Sequence, residues 1–182
     1  MADQAQFVEL SRLLELFYDA PDELAQFAEV PAASVPAAYR RLLDHERHMT
    51  VTVEDFHQTP VDVRVLDTYE TDRHYARKIL LCRQTDGAVV QYGIMRLNLR
   101  HVPPEVRSDI RSQRAPLGRI LIEHGVLRDV HLLCLWRVAA GEELATLFDV
   151  PPGTITYGRT AWIEVEGEGA VELLEIVIPL PA

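Results

Sequence analysis

Residues Val171–Pro179, with the sequence VELLEIVIP, form a mostly aliphatic run near the end of the chain, and the carboxylate of Glu175 interrupts it between Leu174 and Ile176. The run is short, rich in β-branched residues and stopped by a proline, which predicts a buried strand over Ala170–Ile178. An ionised carboxylate left alone in an apolar interior is strongly unfavourable, so Glu175 must be paired, protonated or exposed. A polar site is therefore expected beside this strand.

Working outward from that strand, two-residue alternation predicts further strands, and most of them are joined by short turns. These strands are Thr50–Phe56, Val61–Thr71, Tyr75–Cys82, Val89–Leu99, Val130–Val138 and Thr154–Val165. Apolar residues at helical spacing predict helices over 5–18, from Asp22, after Pro36, and over Pro103–Ser112, Leu117–His124 and Ala140–Phe148. This order predicts an α+β fold, an antiparallel sheet with helices on one side. We expect one domain over 1–182, with an N-terminal helical section, 1–48, before the sheet and inserted helices of 49–182.

Composition narrows the classes of partner. The chain has 182 residues and a formal net charge of -10, which disfavours binding to nucleic acid. No apolar stretch is long enough for a membrane span, and the N-terminus lacks the pattern of a signal peptide. The two cysteines show neither disulfide nor zinc spacing. These features predict a soluble cytoplasmic protein that contacts neither membrane nor nucleic acid. A small anionic ligand is compatible with the net charge if a few arginines are focused in one pocket.

The strand RHYARKILLC contains a second polar residue in a core-like run. Alternation places Arg77 on the same face as Ile79 and Leu81, where that face enters the interior. The planar guanidinium of arginine suits a buried carboxylate, so Arg77 and Glu175 could form a structural pair or face one ligand. Arg96 is another cation in an apolar strand, and a one-residue shift in register would expose it to solvent.

Two other short motifs were considered as sites. The segment Asp44–His48, DHERH, lacks the HExxH order and has no further ligand, so we predict no metal site. Pro116-Leu117-Gly118 precedes a helix, and the free backbone N–H groups there could accept a carboxylate.

Together these stretches resemble the chorismate lyase-like family, over roughly residues 38–180. The matching blocks occur in the family's order: Met49-Thr50 after Leu-Leu-Asp, Arg73–Cys82, Pro116–Arg119, and Gly158-Arg159 followed by Leu174–Pro179. Between Arg119 and Arg159 the chain is more than a dozen residues longer than the enterobacterial type, and the role of the stretch 125–158 is left open. The chain is similar to a divergent branch of the family.

The resemblance implies a roughly six-stranded antiparallel sheet with flap helices over an internal cavity, and an activity that needs neither metal nor cofactor. It implies that Arg77 and the backbone at Leu117 hold the ring carboxylate, that Glu175 meets the hydroxyl-bearing end, and that Met49 lies on a flap. We add Arg96 and Arg159 as further candidates for substrate binding.

The function implied by the resemblance is a carbon–oxygen lyase that eliminates pyruvate from chorismate to give 4-hydroxybenzoate, with Glu175 and Arg77 as catalytic residues. A desolvated Glu175 could then donate a proton or a hydrogen bond to the ether oxygen. Two alternatives stay open. One is a lyase or isomerase acting on a related aromatic or cyclohexadiene carboxylic acid in a secondary pathway, and the other is a non-catalytic sensor of small aromatic acids with the same fold.

Overall fold

A computed structural model describes residues 9–126 and 128–181. Seven strands of the described residues form one antiparallel sheet, in the order β1-β5-β6-β7-β4-β3-β2. They are Ala25–Val30 (β1), Val61–Glu70 (β2), His74–Arg83 (β3), Val89–Asn98 (β4), Arg128–Ala140 (β5), Ile155–Val165 (β6) and Glu168–Val177 (β7). The α+β class and the antiparallel sheet are confirmed, with seven strands where roughly six were expected.

The described residues also form six short α-helices. They are Leu10–Leu14 (α1), Ala37–Leu43 (α2), Met49–His57 (α3), Pro104–Ser112 (α4), Leu117–Glu123 (α5) and Glu142–Phe148 (α6). In the ranges 9–126 and 128–181, no helix has the length and hydropathy that a membrane crossing requires.

Helices pack against both faces of the sheet, not one as predicted. On the face that we call the cavity face, α2–α5 pack over residues such as Met95, Leu173 and Val177. On the opposite face, α1 and α6 pack over Ile94 and Leu174. The central strands β4 and β7 present apolar side chains on both faces of the sheet, so helices must cover both faces.

The segment Thr50–Phe56, predicted as a strand, lies in helix α3. Its β-branched residues and their alternation favour a strand, but the preference is weak and tertiary packing overrides it. As a helix, the segment brings Met49 and Val53, four residues apart, onto one buried side. The prediction failed because this spacing fits both periods.

The section 1–48 is not helical throughout. Asp22 lies in a single 3-10 turn, Pro21–Glu23, and the chain continues as β1, which pairs with β5. A Cβ atom on Gly141 would lie 2.6 Å from the carbonyl oxygen of Asp22, so glycine allows the turn to pack against the end of β5. Of the helix predicted over 5–18, residues 1–8 lie outside the described part, and the helix observed is α1.

The stretch 125–158, left without a role by the sequence, has a structural one. It forms β5, which carries β1 at the edge of the sheet, and α6, which covers the opposite face. The remaining predicted strands and helices match the observed elements to within a few residues at each end.

Candidate functional site

The register of the four central strands creates a hollow on the cavity face. Ile79, Gly93, Glu175 and Arg159 lie side by side on β3, β4, β7 and β6. Gly93 has no side chain, so the middle of this row is empty where any other residue would fill it. Arg77 precedes Ile79 by two residues and therefore points to the same face, one step along β3.

The hollow is closed by two flap helices. Met49 and Thr50 from the start of α3, and Leu117 and Gly118 from the start of α5, complete its walls. The volume of the cavity is about 50 Å³, counted as the space open to the centre of a water-sized sphere. That is space for about four water molecules, roughly one unsubstituted six-membered ring.

The flap helices are fixed to each other. Glu54 of α3 forms an ion pair with Arg119 of α5. A Cβ atom on Gly118 would lie 3.1 Å from Oγ1 of Thr50, so the motif Pro-Leu-Gly keeps the two helix starts in close contact. Leu117 and Met49, both expected at the ligand, lie on these two helices and line the cavity.

Arg77 is a buried cation without a counter-ion. Arg77 is 1% exposed, and no carboxylate of the described residues lies within 4.0 Å of its guanidinium. Nη1 donates to the carbonyl of Ile110 at 3.5 Å and Nη2 to that of Ala115 at 3.3 Å, while Nε has no acceptor. Burial lowers the pKa of Arg77, and the nearby Tyr75 partly opposes this effect.

Glu175 is paired with Arg159 rather than with Arg77. Nε of Arg159 donates to Oε2 of Glu175 at 2.7 Å, and the two residues are 0% and 7% exposed, respectively. This pair satisfies the carboxylate that interrupts the aliphatic run of β7. Arg77 and Glu175 line the same cavity without direct contact, as the resemblance implied.

Arg159 also holds the loop between α2 and α3. Nη1 donates to the carbonyls of His45 at 2.7 Å and Leu43 at 3.4 Å, and Nη2 donates to that of Arg47 at 3.0 Å. Most donors of Arg159 are therefore used by protein atoms. Its guanidinium positions Glu175 and the loop before the α3 flap, and it does not match the free ligand-binding group that we expected.

Arg96 lies outside the cavity. On β4 the residues Gly93 and Met95 face the hollow, so Arg96 points to the opposite face, where Nη1 lies 3.2 Å from Oε2 of Glu172. The prediction that Arg96 binds substrate in the cavity is wrong, for the reason that one residue along a strand changes the face.

Sequence reasoning missed Gln91. This residue is 2% exposed, lines the cavity two residues before Gly93, and its Oε1 atom has no hydrogen-bond partner. A signal was present in the sequence, because AVVQYGIM places a glutamine on the same strand face as Gly93 within an apolar run. A buried amide oxygen without a hydrogen-bond partner is rare, so this position is a candidate for ligand binding.

The α2–α3 loop gives the protein a specific sensitivity to acid. Burial, together with the neighbouring Arg159, lowers the pKa of His45 to about 4, from 6.5. As the pH falls, His45 is therefore protonated in the unfolded chain at a higher pH than in the folded protein. The free energy of unfolding should accordingly decrease as the pH drops from about 6.5 to about 4. Chemical denaturation at pH 7 and pH 5 should show a smaller loss for His45→Gln than for the wild type. Equal losses would contradict this assignment.

No family model and no curated protein matches the sequence. Solved structures do match. The effector domain of PhnF from Mycobacterium smegmatis has a TM-score of 0.50 and 10% identity, over 72% of this chain and 88% of that chain. The PhnF structure has a TM-score of 0.49 and 11% sequence identity, over 71% of this chain and 62% of that chain. The possible transcriptional regulator YydK from Bacillus subtilis has a TM-score of 0.45 and 13% sequence identity, over 67% of this chain and 63% of that chain.

These matches concern the fold. The chain spans less than two thirds of the length of the PhnF and YydK chains, at 62% and 63%. The fold of the PhnF effector domain fits the chorismate lyase-like fold that the sequence resemblance implied.

Proposed function

We propose that the chain is a ligand-binding domain that senses a small cyclic carboxylic acid held in the closed cavity. The observation that carries this proposal is Arg77, a buried guanidinium that, among the described residues, has no carboxylate within 4.0 Å and no acceptor for its Nε. An unpaired buried charge is strongly unfavourable, so a carboxylate supplied by a ligand would compensate for it.

The charge of the cavity favours a monoanion. Arg159 and Glu175 neutralise each other through their ion pair, which leaves the single positive charge of Arg77. A ligand with one carboxylate balances that charge, whereas a second carboxylate would have no cation to meet. The charge balance therefore supports a simple aromatic acid over the dianion chorismate.

The walls at the Arg77 end suit a carboxylate. The start of α5 lines the same cavity, and the first N–H groups of a helix have no acceptor within the helix. The N–H groups of Leu117 and Gly118 would join Arg77 in binding the ligand's carboxylate. At the other end, the carboxylate of Glu175 would accept a hydrogen bond from a hydroxyl group, so 4-hydroxybenzoate is the probe that we choose.

The fold comparison supports a sensor in a limited way. The domain of PhnF that shares this fold is an effector domain. The excess negative charge of the chain argues against DNA contact by these 182 residues themselves.

Filling the hollow tests the proposal. A Cβ atom on Gly93 would lie 3.4 Å from the carbonyl oxygen of Leu174 and 3.5 Å from Cγ1 of Ile79, which are ordinary contacts. Gly93→Ala should therefore fold normally and place a methyl group where the ring would lie. We expect calorimetric titration to show binding of 4-hydroxybenzoate to the wild type and at least about tenfold weaker binding to the variant, from overpacking.

Gly169→Ala is the matched control, because it adds the same methyl group at an exposed strand position away from the cavity. It should bind 4-hydroxybenzoate as the wild type does. Failure of the wild type to bind small ring carboxylates, or equal binding by Gly93→Ala, would reject the proposed site.

A second candidate function is the chorismate lyase activity. The observation in its favour is Glu175, a buried acid group that lines the same cavity as Arg77. Chorismate and 4-hydroxybenzoate are both larger than an unsubstituted ring, so either function requires the flap helices to move apart. Incubation with chorismate and chromatography for 4-hydroxybenzoate separates the candidates, since turnover supports the lyase and binding of benzoates without turnover supports the sensor.

A further inference from the structure

Gln91 is a buried polar residue of the cavity wall that the proposed function leaves unused. Its side chain is buried, and Oε1 finds no donor among the described residues. The terminal amide of Gln91 lies beside the hollow, because Nε2 is 3.8 Å from the position that a Cβ atom on Gly93 would occupy, and a half-turn of the amide group would bring Oε1 to that place. Leaving a buried acceptor unpaired is unfavourable, and replacing it by an apolar group removes that cost. This position therefore suits a ligand group that donates a hydrogen bond.

The register of the sheet separates Gln91 from Glu175 as seen from Arg77. Met95 on β4 is the residue paired with Arg77, and Gly93 lies two residues from Met95 along β4. Gly93 in turn pairs with Glu175 on β7. Glu175 is therefore displaced from Arg77 by two strand spacings across the sheet and by two residues along the strands. Gln91 pairs with Leu81, and so lies one strand spacing across and four residues along. With a strand spacing of about 4.8 Å and a rise of about 3.4 Å per residue, the two directions from Arg77 diverge by about 35°.

Two hydrogen-bond acceptors that diverge in this way match neighbouring substituents on one ring. In a ring carboxylic acid, the substituent opposite the carboxylate (para) and the one next to it (meta) also lie in two diverging directions as seen from the carboxylate. Glu175 would accept from the first group and Oε1 of Gln91 from the second. Other parts of the wall, such as Ile79, Leu81 and Met95, are apolar.

We infer that Gln91 determines specificity, and that the ligand is a ring carboxylic acid with two adjacent hydroxyl groups opposite the carboxylate. This inference rests on the proposed function, since it assumes that the carboxylate lies against Arg77. It adds the chemical class of the ligand, a vicinal diol, and the residue that selects the second hydroxyl group.

The test compares three ligands with three proteins. Benzoate, 4-hydroxybenzoate and 3,4-dihydroxybenzoate are titrated into the wild type, Gln91→Leu and Gln26→Leu, which makes the same substitution at an exposed strand position. For the wild type we expect the dihydroxy acid to bind about tenfold more tightly than the monohydroxy acid, which corresponds to one satisfied buried acceptor. For Gln91→Leu this difference should vanish, while the preference for 4-hydroxybenzoate over benzoate remains. Gln26→Leu should behave as the wild type.

Thermal unfolding of the ligand-free proteins supplies a readout that does not depend on binding. Gln91→Leu should unfold at a temperature equal to or above that of the wild type, because leucine removes a buried unpaired amide. A second hydroxyl group that adds no affinity in the wild type, or a gain that persists in Gln91→Leu, would overturn the inference while leaving the proposed function intact. If none of the three acids binds the wild type, the proposed function fails, and the inference fails with it.

Discussion

Replacement of Arg77 by methionine is expected to stabilise the ligand-free protein and to abolish binding of 4-hydroxybenzoate. Methionine occupies the buried position without a charge and without the unpaired Nε. The loss of the hydrogen bonds to Ile110 and Ala115 offsets part of that gain, so we expect a rise of about 1–2 kcal/mol in the free energy of unfolding. Binding should weaken by more than about a hundredfold, because the charged partner of the carboxylate is removed.

The measurement is chemical denaturation of the ligand-free proteins, with calorimetric titration of 4-hydroxybenzoate alongside. Lys78→Met is the matched control, since Lys78 neighbours Arg77 on β3 but faces the opposite side, where it pairs with Glu143 at 3.0 Å. The control should lose its ion pair, gain no stability and keep its ligand affinity. An Arg77→Met protein that binds as the wild type does, or that is markedly less stable, would mean that Arg77 has only a structural role.

The strands that carry the site could be predicted because their side-chain alternation is strong. Alternation placed Arg77 with Ile79 and Leu81 on one face, and the structure places all three in the cavity wall. The same reasoning located Glu175 in a buried strand. Both predictions depend only on the period of a strand, which a single sequence displays directly.

The partners of these residues could not be predicted in the same way. Glu175 meets Arg159 because β7 pairs with β6 in one particular register, and strand pairing is a property of the whole sheet. Arg96 was misplaced because the sequence does not show which face of β4 borders the hollow. The helical state of Met49–His57 depends on packing against the sheet, so its β-branched residues gave the wrong indication.

Replacement of Arg159 by leucine is expected to have the opposite effect on stability from that of Arg77. Arg159 has a carboxylate partner, so its removal leaves Glu175 buried and unpaired, and it frees the carbonyls of His45 and Arg47. Breaking a buried ion pair from one side typically costs about 3–5 kcal/mol, and we expect a loss of that size. The α2–α3 loop should exchange its amide hydrogens faster, because its anchor on the sheet is gone.

The double variant Arg159→Leu/Glu175→Leu isolates the role of the ion pair. It removes both charges together, so it should be more stable than Arg159→Leu alone, although the loop contacts are still missing. A double variant no more stable than the single one would assign the loss to the loop instead of to the buried carboxylate. The expected contrast between the two arginines follows mainly from the carboxylate partner that Arg159 has and that Arg77 lacks among the described residues. A cation whose counter-ion belongs to the protein stabilises the empty fold, whereas a cation that awaits its counter-ion from a ligand destabilises it until the ligand binds.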